Sequence, residues 1–351
     1  MEIRKITLKN FRNYSQKSLS FLSGVTLIIG DNAAGKTNLL EAIFLLATGK
    51  SFRIKGVESE MIRTNSEIGS VKGETTKDSL EVILTRGEVM KEKTAKKRYL
   101  LNGVAKRASD FIGNLRVVYF GPEDLDLVVG SPSIRRKYLD LVLSQTDREY
   151  ARAVLSYEKG LRARNKILES MRELGLVDRR KLFFWDQLLI KNGNQITQKR
   201  EEFLEFVNRQ PLIADCQFLV EYDRSVISES RLAQYEKEEV AAGSTLVGPH
   251  RDDFIVQARN SNSETRNLSI FGSRGEQRLA VLWLKLAELR YLKEKTQEMP
   301  VLLLDDIFSE LDARHRCLIF EAVSGQQTII TSADRELTSE EWLKGANLLA
   351  F

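Results

Sequence analysis

One eight-residue run constrains this chain more than anything else in it. Gly30-Asp31-Asn32-Ala33-Ala34-Gly35-Lys36-Thr37 reads Gly-x-x-x-x-Gly-Lys-Thr. An apolar β-branched stretch, Val25 to Ile29, leads into it, and Leu39, Leu40, Ile43, Phe44 and Leu46 follow at helical spacing. These flanks predict a buried strand, a tight turn and a helix. In that context the spacing makes a phosphate-binding loop. Gly30 and Gly35 let the backbone curl, so that successive N–H groups from Asp31 through Ala34 face a polyphosphate. The helix begun near Lys36 adds its positive dipole end. The Lys36 ammonium reaches the β- and γ-phosphates and the Thr37 hydroxyl binds Mg²⁺.

A second apolar run near the C-terminus complements the first. Val301 to Leu304 ends in Asp305 and Asp306, which predicts a core strand carrying Mg²⁺-binding acid at its C-terminal end. Ile307-Phe308-Ser309-Glu310-Leu311-Asp312 follows, then a helix over about 313–323 and a last core strand over 327–331. Upstream, Ser273-Arg274-Gly275-Glu276 opens a helix whose apolar pattern runs to Leu292. A serine in that position is, by itself, a helix cap.

The chain between these motifs changes character twice. Ile3, Ile6 and Leu8 alternate with charged neighbours and predict a first strand, paired with a second that includes Leu19 and Phe21. The intervening loop, Asn10 to Asn13, then lies near the phosphate loop, where Arg12 either contacts a nucleotide phosphate or is a solvated turn arginine. Val71–Glu74, Leu80–Thr85 and Arg98–Leu101 predict an antiparallel sheet, with Asn102-Gly103 as a hairpin turn. Val117 to Phe120 is another buried strand. From Pro132 to about Arg172, and again from about Arg180 to Asn208, the pattern is helical, stopping before Pro211. Two long, charge-rich amphipathic helices in succession predict a helical arm. Their charges form either a solvated face or a DNA-facing surface. The division expected is a discontinuous nucleotide-binding head, residues 1–120 plus 241–351, and an inserted arm or second lobe, residues 121–240.

Composition sets the remaining limits. Lys and Arg number 54 against 49 Asp and Glu, an excess that permits nucleic-acid binding without requiring it. The two cysteines, Cys216 and Cys317, and the two histidines, His250 and His315, match no metal spacing. No signal peptide and no run near the roughly 20 apolar residues of a membrane span is visible. Reduced thiols and the absence of both segments point to the cytoplasm.

The serine-glycine helix start, the acid-ended strand and Ser309–Asp312 together resemble the signature, acid strand and D-loop of ABC-type ATPases. The narrower resemblance is to the RecF family of bacterial recombination mediators. It rests on Leu8 to Tyr14, on Pro122-Glu123-Asp124-Leu125 with Gly130-Ser131-Pro132-Ser133 and Arg135-Arg136, on Arg164-Asn165, on Gly248 to Asp253 and on Leu303 to Asp312. Those blocks span nearly the whole chain. The fold implied is α/β: a P-loop ABC-type ATPase head of two lobes, a mixed core sheet plus an antiparallel sheet, with an inserted helical arm.

The resemblance implies an ATP-dependent homodimer that binds double-stranded DNA beside single-stranded gaps and works with RecR and RecO to load RecA, in DNA repair, replication and the SOS response. It implies ATP and Mg²⁺ as cofactors. Ser273 and Gly275 of one subunit would contact the γ-phosphate held by residues 30–37 of the other. Asp305 would hold Mg²⁺ with Thr37, Asp306 would position the attacking water, and Asp312 would couple the two sites. Three departures stand out. Glu276 replaces an amide common in the signature. Gly121-Pro122 stands where ordinary ABC proteins have a glutamine, with only Glu123 near enough to substitute. Asp306 is one methylene shorter than the usual catalytic glutamate, which implies slow hydrolysis. A transporter head is disfavoured by the long charged insert, and an SMC-type DNA bridge by the shortness of residues 131–211 relative to a heptad arm. A nucleotide kinase lacks the serine-glycine signature.

Overall fold

The computed structural model describes residues 1–53, 58–175, 178–213, 216–259, 264–307, 325–333 and 345–351. The chain divides into two compact units, Met1–Asp124 with Lys285–Phe351, and Leu125–Leu284.

Among the described residues the first unit contains two large sheets and a two-stranded ribbon, Glu88–Val89 with Glu92–Lys93. One is five-stranded and wholly parallel, in the order Val117–Phe120, Val301–Asp305, Thr328–Ser332, Val25–Ile29, Asn347–Ala350. The three strands Val117–Phe120, Val301–Asp305 and Thr328–Ser332 are buried at every position. That explains their unbroken apolar runs, since a parallel strand is covered on both faces. The helix Lys36–Thr48 leaves the end of Val25–Ile29 and buries nearly all its side chains. The other sheet is six-stranded, its pairings antiparallel, in the order Tyr14–Ser20, Ile3–Phe11, Ile68–Thr75, Ser79–Thr85, Lys97–Leu101, Val104–Lys106. Here burial alternates, as in Ile68–Thr75, because one face meets solvent. Asn102 and Gly103 both have positive φ, 52° and 78°, as a two-residue hairpin that follows strand twist requires. Continuous apolar runs form the parallel sheet and alternating runs the antiparallel one, as the expected α/β head with a separate antiparallel sheet requires.

The second unit is built on three helices, Pro132–Thr146, Arg148–Leu174 and Phe183–Asn208. The single helix expected from Pro132 to Arg172 is broken at Asp147. Its carboxylate accepts from the N–H groups of Glu149 (2.8 Å) and Tyr150 (3.0 Å) and so starts a new helix. Ser131, just before the first of these helices, makes no side-chain cap, and its hydroxyl lies 2.7 Å from that of Ser133. The two longer helices, of 27 and 26 residues, approach closely at Gly160, where a Cβ would stand 2.6 Å from Leu188 Cδ2.

The expected boundary at 241 is also corrected. Gln217–Asp223 pairs with Asp253–Arg259 along its whole length, and the latter pairs with Thr265–Asn267. Arg135 forks onto Asp253 (2.6 and 2.8 Å), and buried Arg200 holds Asp252 at 2.9 Å. Residues 241–284 therefore belong with the helices. His250 lies in the same network. Its Nε2 is 3.0 Å from the Thr245 carbonyl and must donate to it, so Nδ1 accepts from the Tyr157 hydroxyl at 2.8 Å. Burial lowers the imidazole to about 4, and the ring stays neutral. The helix Arg274–Thr296 continues from the second unit into the first. Among the described residues no helix is long and apolar enough to cross a membrane.

Candidate functional site

The phosphate loop sits at the C-terminal end of Val25–Ile29, where ligands bind in open parallel sheets. Its two glycines answer to different crowding. A Cβ at Gly30 would lie 2.8 Å from the Phe351 carbonyl oxygen, because the chain's last residue crosses there. Gly35 has φ 109° and lies under the Tyr14 hydroxyl, 2.6 Å from where a Cβ would be. Tyr14 also donates to the Gly35 carbonyl at 3.0 Å, and burial pushes its own pKa up to about 12. Asp31, Asn32 and Ala33 are exposed, and Ala34 N–H closes the loop onto Asp31 O at 3.2 Å. The Lys36 ammonium is buried and donates to the carbonyls of Gly30 (2.7 Å) and Asp31 (3.0 Å). The first-turn N–H groups of the Lys36 helix have no intrahelical acceptor, as at any helix start. The Lys36 ammonium and the open helix start together suit a polyphosphate.

Asp305 reaches this loop from across the sheet. Thr37 donates to its Oδ1 at 3.0 Å, and Thr331, at the end of the intervening strand, donates to the same oxygen at 2.6 Å. Tyr119 is 3.3 Å from Oδ2. Burial raises the Asp305 pKa, and the two threonine hydroxyls oppose the rise. Thr37, Asp305 and the phosphate loop thus offer hard oxygen donors to a small divalent cation. Among the described residues no group of three or more Asp, Glu, His or Cys forms a metal cage. The Thr37 hydroxyl and the Asp305 carboxylate fit Mg²⁺, which is held by one or two protein oxygens plus nucleotide phosphates and water. Asp306 has φ 52° and donates its N–H to Thr331 O at 3.1 Å. A left-handed aspartate is uncommon and is fixed here by the neighbouring strand end.

Arg12 is not a solvated turn arginine. Its Nε and Nη2 fork onto the buried carboxylate of Glu41 (2.8 and 2.6 Å), and Nη1 donates to Glu60 O at 3.0 Å. The guanidinium pins the phosphate-loop helix to the Asn10–Asn13 turn, because a carboxylate buried at Glu41 must be paired. Asn13, one residue on, approaches the loop: its Nδ2 is 3.5 Å from Ala34 O and its Oδ1 accepts from Asn38 at 2.8 Å. Sequence reasoning named neither Asn13 nor Tyr14, Thr331, Tyr119 or Glu41 as site residues. The signal for two of them was present, since Asn13 and Tyr14 lie within the N-terminal block quoted above.

The second-unit motif is a capping box. Ser273 donates its N–H and its hydroxyl to Glu276 Oε2, each at 2.9 Å, and Glu276 N–H donates back to Ser273 Oγ at 3.3 Å. Arg266 pairs with the other carboxylate oxygen. These hydrogen bonds, that from the Ser273 N–H first, hold Glu276 below the usual carboxylate range. A Cβ at Gly275 would meet nothing within 4 Å. Asp312 and the rest of Ser309–Asp312 lie outside the described residues.

Comparison with known proteins agrees with this geometry. The family described as "RecF/RecN/SMC N terminal domain" matches residues 2–344. The DNA replication and repair protein RecF of Bacillus cytotoxicus is 37% identical over 372 residues, covering 99% of this chain and 96% of that protein. Among solved structures, the recombination mediator protein RecF-ATP of the RecFOR pathway is similar with a TM-score of 0.84 and 33% identity, over 95% of this chain and 92% of that one. A second RecF structure, with an ATP analogue, gives a TM-score of 0.83 at the same identity and coverage.

Proposed function

The chain belongs to the RecF family, and from that premise we propose that it is an ATP-operated DNA-repair switch: it dimerises on ATP, binds duplex DNA beside single-stranded gaps, and with RecO- and RecR-type partners helps load RecA in the bacterial cytoplasm. The observation that carries the ATP reading is the meeting of Thr37, Asp305 and Thr331 at the mouth of the phosphate loop. Lys36 and the loop N–H groups hold the triphosphate, and Thr37 with Asp305 hold Mg²⁺, which supplies charge neutralisation at the transferred phosphoryl group. Asp306 orients the attacking water. Its short side chain makes hydrolysis slow, so hydrolysis acts as a release timer, and DNA sets its rate. Asp312 couples the two sites.

Ser273 supplies the link between subunits. Its N–H and hydroxyl hold the Glu276 carboxylate, and the same donors would serve a γ-phosphate held by the partner subunit, which supports this reading. Gly275 leaves space for the partner's nucleotide to approach. The γ-phosphate then holds the dimer together, and its loss opens it. Light-scattering mass with ATP–Mg²⁺ tests this reading. Wild type should double in mass and Ser273→Arg should remain a monomer. A wild-type mass that ATP leaves unchanged would count against the shared site.

Glu276 competes with that phosphate for the same donors. Glu276→Gln removes the charge, so the partner's phosphate displaces a weaker occupant. The ATP-dependent dimer should then form at several-fold lower protein concentration, a gain of about 1 kcal/mol. Sedimentation across a concentration series reads this, and a weaker Glu276→Gln dimer would assign the carboxylate a supporting role in closure.

A further inference from the structure

The strand Val117–Phe120 ends beside Asp305, since its Phe120 pairs with Leu304. The next residue is Gly121, so no side chain projects from it toward the metal-binding carboxylate. The Tyr119 hydroxyl fills that space: a Cβ built on Gly121 would collide with it. From there the hydroxyl stands 2.9 Å from Glu123 Oε2 and 3.3 Å from Asp305 Oδ2. The ring is fixed by stacking on Phe52, with centroids 3.9 Å apart. The turn carrying Glu123 is anchored as well. Gly121 N–H donates to Asp124 at 2.9 Å, and Asp124 pairs at 3.0 Å with buried Lys285.

A phenol has one proton and here faces two carboxylate oxygens, so it can donate to only one. The two acids are thus brought to a single hydroxyl at the mouth of the phosphate loop. Two carboxylates this close repel each other unless a cation lies nearby. Glu123 is exposed and can turn toward such a cation. Because Asp305 Oδ1 is taken by Thr37 and Thr331, the Tyr119 side of the carboxylate is the side left for an added acidic partner.

We propose that Glu123, positioned by the Tyr119 hydroxyl, is the second acidic group of the Mg²⁺ site and replaces the missing side chain at Gly121 as the link between this strand end and the nucleotide. The inference rests on the reading of Thr37 and Asp305 as Mg²⁺ ligands. Glu123 acts through water or through Tyr119, and both residues are positioning residues.

Its test is the Mg²⁺ dependence of binding of a fluorescent ATP analogue to the full-length chain. Glu123→Ala should raise the half-saturating Mg²⁺ concentration about tenfold while leaving Mg²⁺-free nucleotide affinity unchanged. Tyr119→Phe keeps the stacked ring and should shift the Mg²⁺ dependence in the same direction. Glu123→Gln, which retains a neutral oxygen donor, should shift it less than Glu123→Ala. Asp305→Asn is the control. If it shifts the Mg²⁺ dependence while Glu123→Ala and Tyr119→Phe do not, this inference falls and the metal reading stands. A control that leaves Mg²⁺ dependence unchanged would sink the metal reading and the inference with it. Equal loss of affinity with and without Mg²⁺ in Glu123→Ala would make Glu123 a structural residue and overturn the proposal.

Discussion

Lys36→Ala should lower ATP–Mg²⁺ affinity on the order of 100-fold, a loss of about 3 kcal/mol. The ammonium already sits at the loop mouth, held by the carbonyls of Gly30 and Asp31. It needs little reorganisation to meet phosphate oxygens, and a charge-assisted bond is a strong one. The fold should survive. The variant loses two hydrogen bonds to carbonyls, about 1–2 kcal/mol, against a total stability several times larger. Titration calorimetry with ATP–Mg²⁺, beside a denaturant curve for each protein, separates the two effects. Near-wild-type affinity in a folded Lys36→Ala would mean that nucleotide binds elsewhere. Lys36→Arg should not restore binding, because the planar guanidinium does not fit a space shaped for a point charge.

Arg200→Ala should be the most damaging change in the second unit, about 3–5 kcal/mol. Arg200 is 3% exposed and gathers Asp140 (2.9 Å), Asp252 (2.9 Å) and the Pro249 carbonyl (2.7 Å). Asp252 is itself wholly buried and also accepts from Tyr222 (2.5 Å) and from Ser225 N–H (2.7 Å). Removing the cation leaves this buried carboxylate without its charge partner, the costly half of breaking such a pair. The network joins Phe183–Asn208 to the Gly248–Asp253 segment, so those elements should lose order together. Arg180→Ala supplies the contrast. Its partner Asp178 is at the surface, where water screens the pair, so its loss should hardly move the midpoint. Denaturant midpoints of the two variants should differ widely, and a mild Arg200→Ala would mean that water replaces the guanidinium.

The elements read most accurately from sequence were those whose own pattern sufficed. Val25–Ile29, Val117–Phe120 and Val301–Asp305 are apolar at every position or nearly so, and only a strand covered on both faces requires that. The Asn102-Gly103 hairpin followed from the positive φ both residues tolerate. The break at Asp147 was missed because helical periodicity continues on both sides of it. Only the carboxylate's turn onto the N–H groups of Glu149 and Tyr150 ends one helix and begins the next. Residues 241–284 were misplaced because strand pairing joins positions distant in sequence, which a single-chain pattern does not encode.

The candidate site divides the same way. Phosphate-loop chemistry is local: eight consecutive residues supply the glycines, the lysine and the hydroxyl, so the sequence by itself determined that the chain is built to hold a nucleotide, and its spaced motifs determined the family. The side-chain partners that those residues meet at the loop were decided by tertiary structure. Parallel register sets Thr331 opposite Asp305 and Asp305 within reach of Thr37. The burial of Glu41 claims Arg12. The empty space over Gly121 admits the Tyr119 hydroxyl. The physical reason is common to all three: a side chain's partner depends on which groups are desolvated beside it, and folding brings those groups together from hundreds of residues apart.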